Sequence, residues 1–134
     1  MPYTLNEKIE EVTPDGLISD TQPALLTRAR TIRKLGTAGK LARGTVMAMS
    51  SGSAGDGKLV VLGTTAASNE TLTPDCILAD DVEVGTSADV PVVAYISGCF
   101  DPDHITVATG YTITAADYEA LRIRNILFKD AQND

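Results

Sequence analysis

Between residues 27 and 100 the chain breaks repeatedly on glycine or on small polar clusters, and the segments between the breaks are short and β-prone. "TRARTIRK" alternates apolar and polar residues as a strand does. "LGTAGK" supplies Gly36 and Gly39 for a turn, and "LARGTVMAMS" reads as the next strand. "SGSAGDG" is a surface loop, after which "KLVVLG" is apolar enough to be a buried strand. A polar loop, "TTAASNETLTPD", leads to a strand in "CILADDVEV", the turn "GTSAD" and the long strand "VPVVAYISGCF". Pro91 belongs near the start or edge of that last strand, because proline cannot donate to a ladder. Short strands between Gly-rich turns favour a small barrel or sandwich over a layered α/β fold.

The period changes toward the C-terminus. In "TITAADYEALRIRNILF", Thr114 is a good helix N-cap and Asp117, three residues on, completes a capping box. The helix formers Ala115, Ala116, Glu119, Ala120 and Leu121 follow, and Tyr118, Leu121 and Arg122 fall on neighbouring positions of one face. "RNILF" then regains strand character. The expected fold is mainly β with a short C-terminal α-helix, and Tyr118, Leu121 and Ile126 are candidates for the core or for a subunit contact. With two Phe, four Tyr and no Trp, that core has to be aliphatic.

Residues 1–26 differ from the rest. They sustain neither period, and Pro2, Pro14, Gly16 and Pro23 punctuate them. They read as an extended N-terminal arm without a core of its own, attached to a single compact domain over residues 27–134. Fully extended, such an arm spans roughly 90 Å. Leu17, Ile18, Leu25 and Leu26 are its candidate anchors.

Charge divides along the same lines. Residues 1–26 carry a net −4, residues 27–44 carry +6 with no acid among them, and the remainder carries −9, for a total of −7. The basic band holds Arg28, Arg30, Arg33, Lys34, Lys40 and Arg43. An acidic body disfavours general nucleic-acid binding, which depends on Lys and Arg, and the band lacks aromatic residues for stacking bases. Within the band, Arg28 and Arg30 are two residues apart and share one face of a regular strand. Thr27, Arg28 and Arg30 therefore join the arm residues as a surface expected to meet an acidic partner.

Chemistry is sparse. His104 is the only histidine and lies near Asp101, Asp103 and Cys99, but the spacing matches no structural zinc pattern, and "DPD" is explained as a turn. A small binding or metal-dependent module built on Asp101 and His104 is the alternative functional reading. Asp81 and Glu83 share a strand face, which a solvated acidic surface explains. "GSAGDGK" lacks the spacing and the Ser or Thr of a phosphate loop. No catalytic residue, metal or cofactor is assigned. Cys76 and Cys99 read as reduced small hydrophobes in strands. No apolar run is long enough to span a bilayer.

The order of elements resembles one family. "TIRKLGTAGKLARGTVMAM", "CILADDVEV…ADVPVVAYISGCF" and "TITAADYEALRIRNILFKDA" are similar to the lambda-type head decoration proteins of tailed bacteriophages. That family combines an arm with a "G…L-x-R-G-T-V" strand, an "IL-x-x-D-V" strand, a "V-x-G-x-F" strand and a final "LR-x-R-x-I". Here they fall at residues 17–31, 39–46, 77–82, 96–100 and 121–126. The leader, residues 1–15, is longer than in many members, and "DPDHITV" is more polar. The resemblance implies a non-enzymatic virion protein, made in the bacterial cytoplasm and assembled as a homotrimer on the outer capsid surface. It also implies that the arm binds the major capsid protein after the shell expands, stabilising the shell against packaged DNA.

Overall fold

A computed structural model describes residues 17–20 and 23–129. Within them run nine strands and one α-helix: β1 (Ile18–Asp20), β2 (Leu26–Ile32), β3 (Gly39–Leu41), β4 (Val46–Ser51), β5 (Leu59–Val61), β6 (Thr71–Leu78), β7 (Val82–Val84), β8 (Val90–Phe100), α1 (Ala115–Ile123) and β9 (Ile126–Phe128). The fold is mainly β with one short C-terminal helix, as the sequence pattern predicts. A 3₁₀ turn at Pro102–His104 follows β8, in the place expected of "DPD".

The sheet closes. Its order runs β8-β2-β5-β4-β6, and β6 pairs back onto β8 through Ile77–Tyr95 and Leu78–Ala94. This ring is a small barrel. At the far end of β8 two short strands flank it: β1 lies antiparallel, with Ile18 opposite Phe100, and β9 lies parallel, with Phe100 opposite Phe128.

Side chains alternate between two buried clusters, one on each face of the sheet. Val46, Ala48, Val60, Leu62, Ile77 and Tyr95 belong to the first; Met47, Leu59, Cys76, Leu78 and Ala94 belong to the second. Consecutive strand residues point to opposite faces, so both faces are dry. That is why "KLVVLG" and "VMAM" read as continuous apolar runs rather than alternating ones. The first cluster is covered by Leu17, Leu121, Ile126, Phe100 and the half-buried Ile105, Val107, Tyr111 and Ile113. Residues of β3 and β7 cover the second.

Two segments predicted as single strands are each divided. "LARGTVMAMS" splits into β3 and β4 around a turn in which the Thr45 amide donates to the Ala42 carbonyl. Gly44 turns there at φ 95°, and a Cβ on it would sit 2.9 Å from the His104 carbonyl oxygen, so glycine is required. "CILADDVEV" splits into β6 and β7. The detached ends then pair with each other. Leu41 faces Val82 and Val46 faces Ile77, with four residues between on each strand, so one register runs through the break. A single long ladder has been bent so that its tip folds over the second cluster. The predicted loop "TTAASNETLTPD" is also shorter than expected, because β6 begins at Thr71. Pro74 fits inside β6 because the register slips there: Met47 pairs with Cys76 and Ala48 with Pro74, leaving Asp75 as the extra residue of a bulge.

The helix forms as its sequence dictates. The Thr114 hydroxyl accepts from the Asp117 amide at 3.1 Å, and the Asp117 carboxylate accepts from the Thr114 amide at 3.0 Å. Asn125, in the left-handed region at φ 70°, ends it and leads directly into β9.

Toward the N-terminus the body extends past the boundary after residue 26 that the sequence suggests. Leu17 is 1% exposed within the first cluster, its carbonyl accepts from the Asp101 amide at 2.8 Å, and β1 is part of the sheet. The cluster that buries Leu17 draws residues from β8, α1 and β9, none of them close in sequence, which is why it resembles a free anchor when read alone. The rest of the predicted arm, residues 1–16, 21 and 22, lies outside the described residues.

Candidate docking surface

The sequence-predicted docking residues separate into two groups. Leu17 is buried in the chain's own core, and Ile18 is half-buried against it. Leu25 and Leu26 are 41% and 53% exposed, and Thr27 and Arg28 are exposed as well. Leu25 leans over Gly98 on β8, where a Cβ would come within 2.7 Å of its Cδ1. Of the remaining candidates, Leu121 and Ile126 are fully buried, and Tyr118 is half-buried with its ring edge-on to Phe128 at 5.0 Å. Leu121 and Ile126 belong to the chain's own core.

The strand β2 has one occupied edge and one free one. Along its whole length it pairs with β8, from Leu26 opposite Ser97 to Ile32 opposite Val90. On its other edge β5 meets only Ile32. Among the described residues no strand pairs with that edge over residues 26–31, so alternate N–H and C=O groups point outward there.

The basic band is mostly engaged within the chain, which corrects the expectation of a free positive face. Arg33 grips Asp56 through two bonds, Nε to Oδ2 at 2.9 Å and Nη2 to Oδ1 at 3.0 Å, and also reaches Glu70. The Lys34 amide donates to Asp89, which Lys58 also contacts. Lys40 lies 3.7 Å from Asp81. Arg43 donates through Nη1 to the Ala79 carbonyl and the Tyr95 hydroxyl while stacking on the Tyr95 ring at 5.4 Å. The opposite charges of residues 27–44 and 45–134 thus fold onto each other, a pairing that the charge count alone could not reveal.

One part of the band stays positive. Asp75, the bulge residue of β6, is 4% exposed, and its two carboxylate oxygens accept from different arginines: Oδ2 from Arg30 Nε at 3.2 Å and Oδ1 from Arg124 Nη1 at 3.0 Å. This clamp ties β2, β6 and the end of α1 together. Arg28, on the same face of β2 as Arg30, has no ion-pair partner among the described residues. The face therefore presents three guanidinium groups to one carboxylate. Ile123, 71% exposed, precedes Arg124 at this end. Neither Asp75 nor Arg124 was indicated by the sequence; a strand bulge beside a proline was the available signal.

The Asp101 and His104 region does not gather ligands. The Asp101 carboxylate is 6% exposed, accepts from the Asp103 amide at 2.9 Å and lies 3.2 Å from His104 Nδ1. Cys99 Sγ is 3.4 Å from the Ser19 hydroxyl. Among the described residues no group of three or more His, Cys, Asp or Glu is placed to hold a metal ion. The Cys76 thiol is pushed well above its ordinary pKa by burial, which keeps it protonated and inert. Among the described residues no helix is long and apolar enough to cross a membrane.

The carboxylates paired with Arg33 give the fold a defined acid limit. Arg33 holds Asp56 at about 2, below its ordinary 3.8. The Ala67 amide, then the Ser50 hydroxyl and Arg33, hold Glu70 at about 2, below its ordinary 4.5. Because the unfolded chain binds these protons first, acid favours unfolding; their contribution is complete above about pH 5 and fades as pH falls from about 4.5 toward 2. The melting temperature should be flat from about pH 7 to 5 and fall below about 4.5, and Glu70→Gln should make the fall shallower. Melting curves that stay level to about pH 2.5 would contradict this.

In comparison with known proteins, the family model of bacteriophage lambda head decoration protein D matches residues 7–126. No curated protein matches.

Proposed function

The chain belongs to the bacteriophage lambda head decoration protein D family, and on that premise we propose that it binds as a homotrimer to the outer surface of the expanded capsid and stabilises it against the pressure of packaged DNA. Membership itself carries a structural role in the phage capsid. The finer reading names the major capsid protein as the partner, and the host bacterial cytoplasm as the place of synthesis before the protein joins the virion. It assigns no catalysis and no cofactor.

The family match over most of the chain is the observation that carries this reading. Two features of the surface support it. The free edge of β2 can accept a strand from a neighbouring protein, since main-chain bonds supply affinity in such additions. Leu25 and Leu26 stand exposed where β2 begins, next to the segment that leads from β1. A trimer would repeat this surface three times, so weak individual contacts would combine through effective concentration.

The test mixes purified protein with expanded and unexpanded shells of its own phage and measures co-sedimentation. Binding to the expanded form alone is the expected result; absence of binding to it would sink the proposal. Leu25→Asp/Leu26→Asp should weaken shell binding by about tenfold or more, because two exposed apolar contacts are lost. Its melting temperature should stay within a few degrees of the parent, since neither side chain is buried. An unchanged affinity would remove these leucines from the interface.

A further inference from the structure

The way the open edge of β2 is held limits which strand can join it. Where β2 meets β5, the Arg33 amide donates to the Leu59 carbonyl at 3.0 Å. Successive residues of a strand turn their N–H and C=O groups to opposite edges, so Thr31, Ala29 and Thr27 direct theirs to this same side, which is unpaired among the described residues. A side-chain bond agrees with that direction: the Ala29 carbonyl accepts from Arg30 Nη1 at 3.2 Å. The Arg30 guanidinium, anchored through Nε on Asp75 Oδ2 at 3.2 Å, thus stands where an N–H of a partner strand would come.

The two faces beside the edge differ in charge. On one, Arg28 has no ion-pair partner among the described residues, and Arg30 and Arg124 share the single carboxylate of Asp75, which leaves an excess of two positive charges. On the other stand Thr27, Ala29 and Thr31, with Val93 opposite Ala29 and Pro91 opposite Thr31 on β8. All five are exposed and none is charged. We infer that the edge of β2 takes an extended acidic segment of the partner, with carboxylates at alternate positions beside Arg28 and Arg30 and an uncharged opposite face.

Docking then exchanges one bond for another. An N–H of the incoming strand replaces Arg30 Nη1 at the Ala29 carbonyl, and the released Nη1 meets a carboxylate two positions, about 7 Å, from the one that Arg28 holds. Arg30 keeps its Nε bond to Asp75, so the buried carboxylate is never stranded. A neutral strand gains only the main-chain bonds, and a basic strand is opposed, because like charges on paired strands are destabilising. Such a segment deepens the capsid reading by giving the docking partner a chemistry, and it rests on that reading for its source.

Two measurements on the full-length protein separate its failure from that of the capsid reading. In the first, the probe is a synthetic peptide of alternating Glu and Thr, cut to the seven residues of β2, beside a counterpart with Lys in place of Glu. In amide NMR titrations the Glu peptide should shift Thr27, Ala29 and Thr31, and the Lys peptide should shift none of them. Arg28→Glu, whose parent side chain is exposed and so does not hold the fold together, should weaken the Glu peptide about tenfold. Equal responses to the two peptides, or none at these amides, overturn the inference. So does unchanged binding by Arg28→Glu, which would leave the arginine as a guard of the edge. In the second, expanded shells of its own phage replace the peptide. Arg28→Glu should again lose about tenfold, and parent binding should weaken as salt rises from about 50 to 300 mM. A parent that binds with neither effect overturns the inference and leaves the capsid reading standing. A parent that does not bind overturns the capsid reading, and the peptide titration then decides the inference.

Discussion

Replacing Phe100 with alanine is expected to destabilise the fold by about 3–5 kcal/mol, the range for emptying a fully buried aromatic site. The ring is fully buried and packs on Tyr95 at 5.5 Å and Phe128 at 6.4 Å, both tilted. Around it meet β1, β8 and β9: Ile18 is opposite Phe100, Phe128 is opposite it on the other side, and the Lys129 amide donates to its carbonyl. All three strands are held in register by their pairing at Phe100 and cannot slide to refill the space, so the cavity should persist. The melting temperature should drop by about 10 °C or more. Phe100→Leu, which keeps most of the volume, should lose less than half as much. A drop of only a degree or two for the alanine variant would show that the site collapses, contrary to this account.

The second large effect is expected at Asp75 and depends on removing both partners. Arg30→Ala and Arg124→Ala each leave the buried carboxylate with one guanidinium, and each should cost about 1 kcal/mol. The double variant strands a nearly buried charge, for which the cost is about 3–5 kcal/mol, well above the sum of the two. Adding Asp75→Asn to the double variant should recover part of that loss by removing the charge. Urea unfolding of the four proteins measures this coupling. Strict additivity would show that water solvates Asp75 directly and that the clamp is a surface feature.

Much of the fold is legible from local pattern. Val90–Phe100 is one uninterrupted strand because its β-branched and aromatic residues admit nothing else, and Pro91 stands near its start as expected. The Thr114–Asp117 box fixes the start of α1 because both of its bonds form between residues three apart. What escaped a sequence reading depends on contacts distant in the chain. The split of "LARGTVMAMS" at Gly44 follows from the closeness of the His104 carbonyl, sixty positions away. Leu17 is an arm residue by its neighbours and a core residue by its packing. The basic band looks like a docking surface until the acids of residues 56, 70, 75, 81 and 89 are brought beside it. At the candidate surface, Leu25, Leu26 and Arg28 could be named from sequence because exposure and charge are local properties. Arg124 could not, since the helix end is joined to β2 only through Asp75.

The role of β8 as common partner has a consequence for how the protein is made. β1, β2, β6 and β9 all pair with it, and Leu26 waits for Ser97, about 70 residues downstream. At about 5–20 residues per second, the ribosome extends the chain for roughly 4–14 seconds before that partner exists. During that interval the nascent chain holds apolar strands with no ladder to join. Folding therefore waits for the last third of translation, and a pause or truncation before residue 100 would leave the earlier strands exposed to chaperones, proteases or each other.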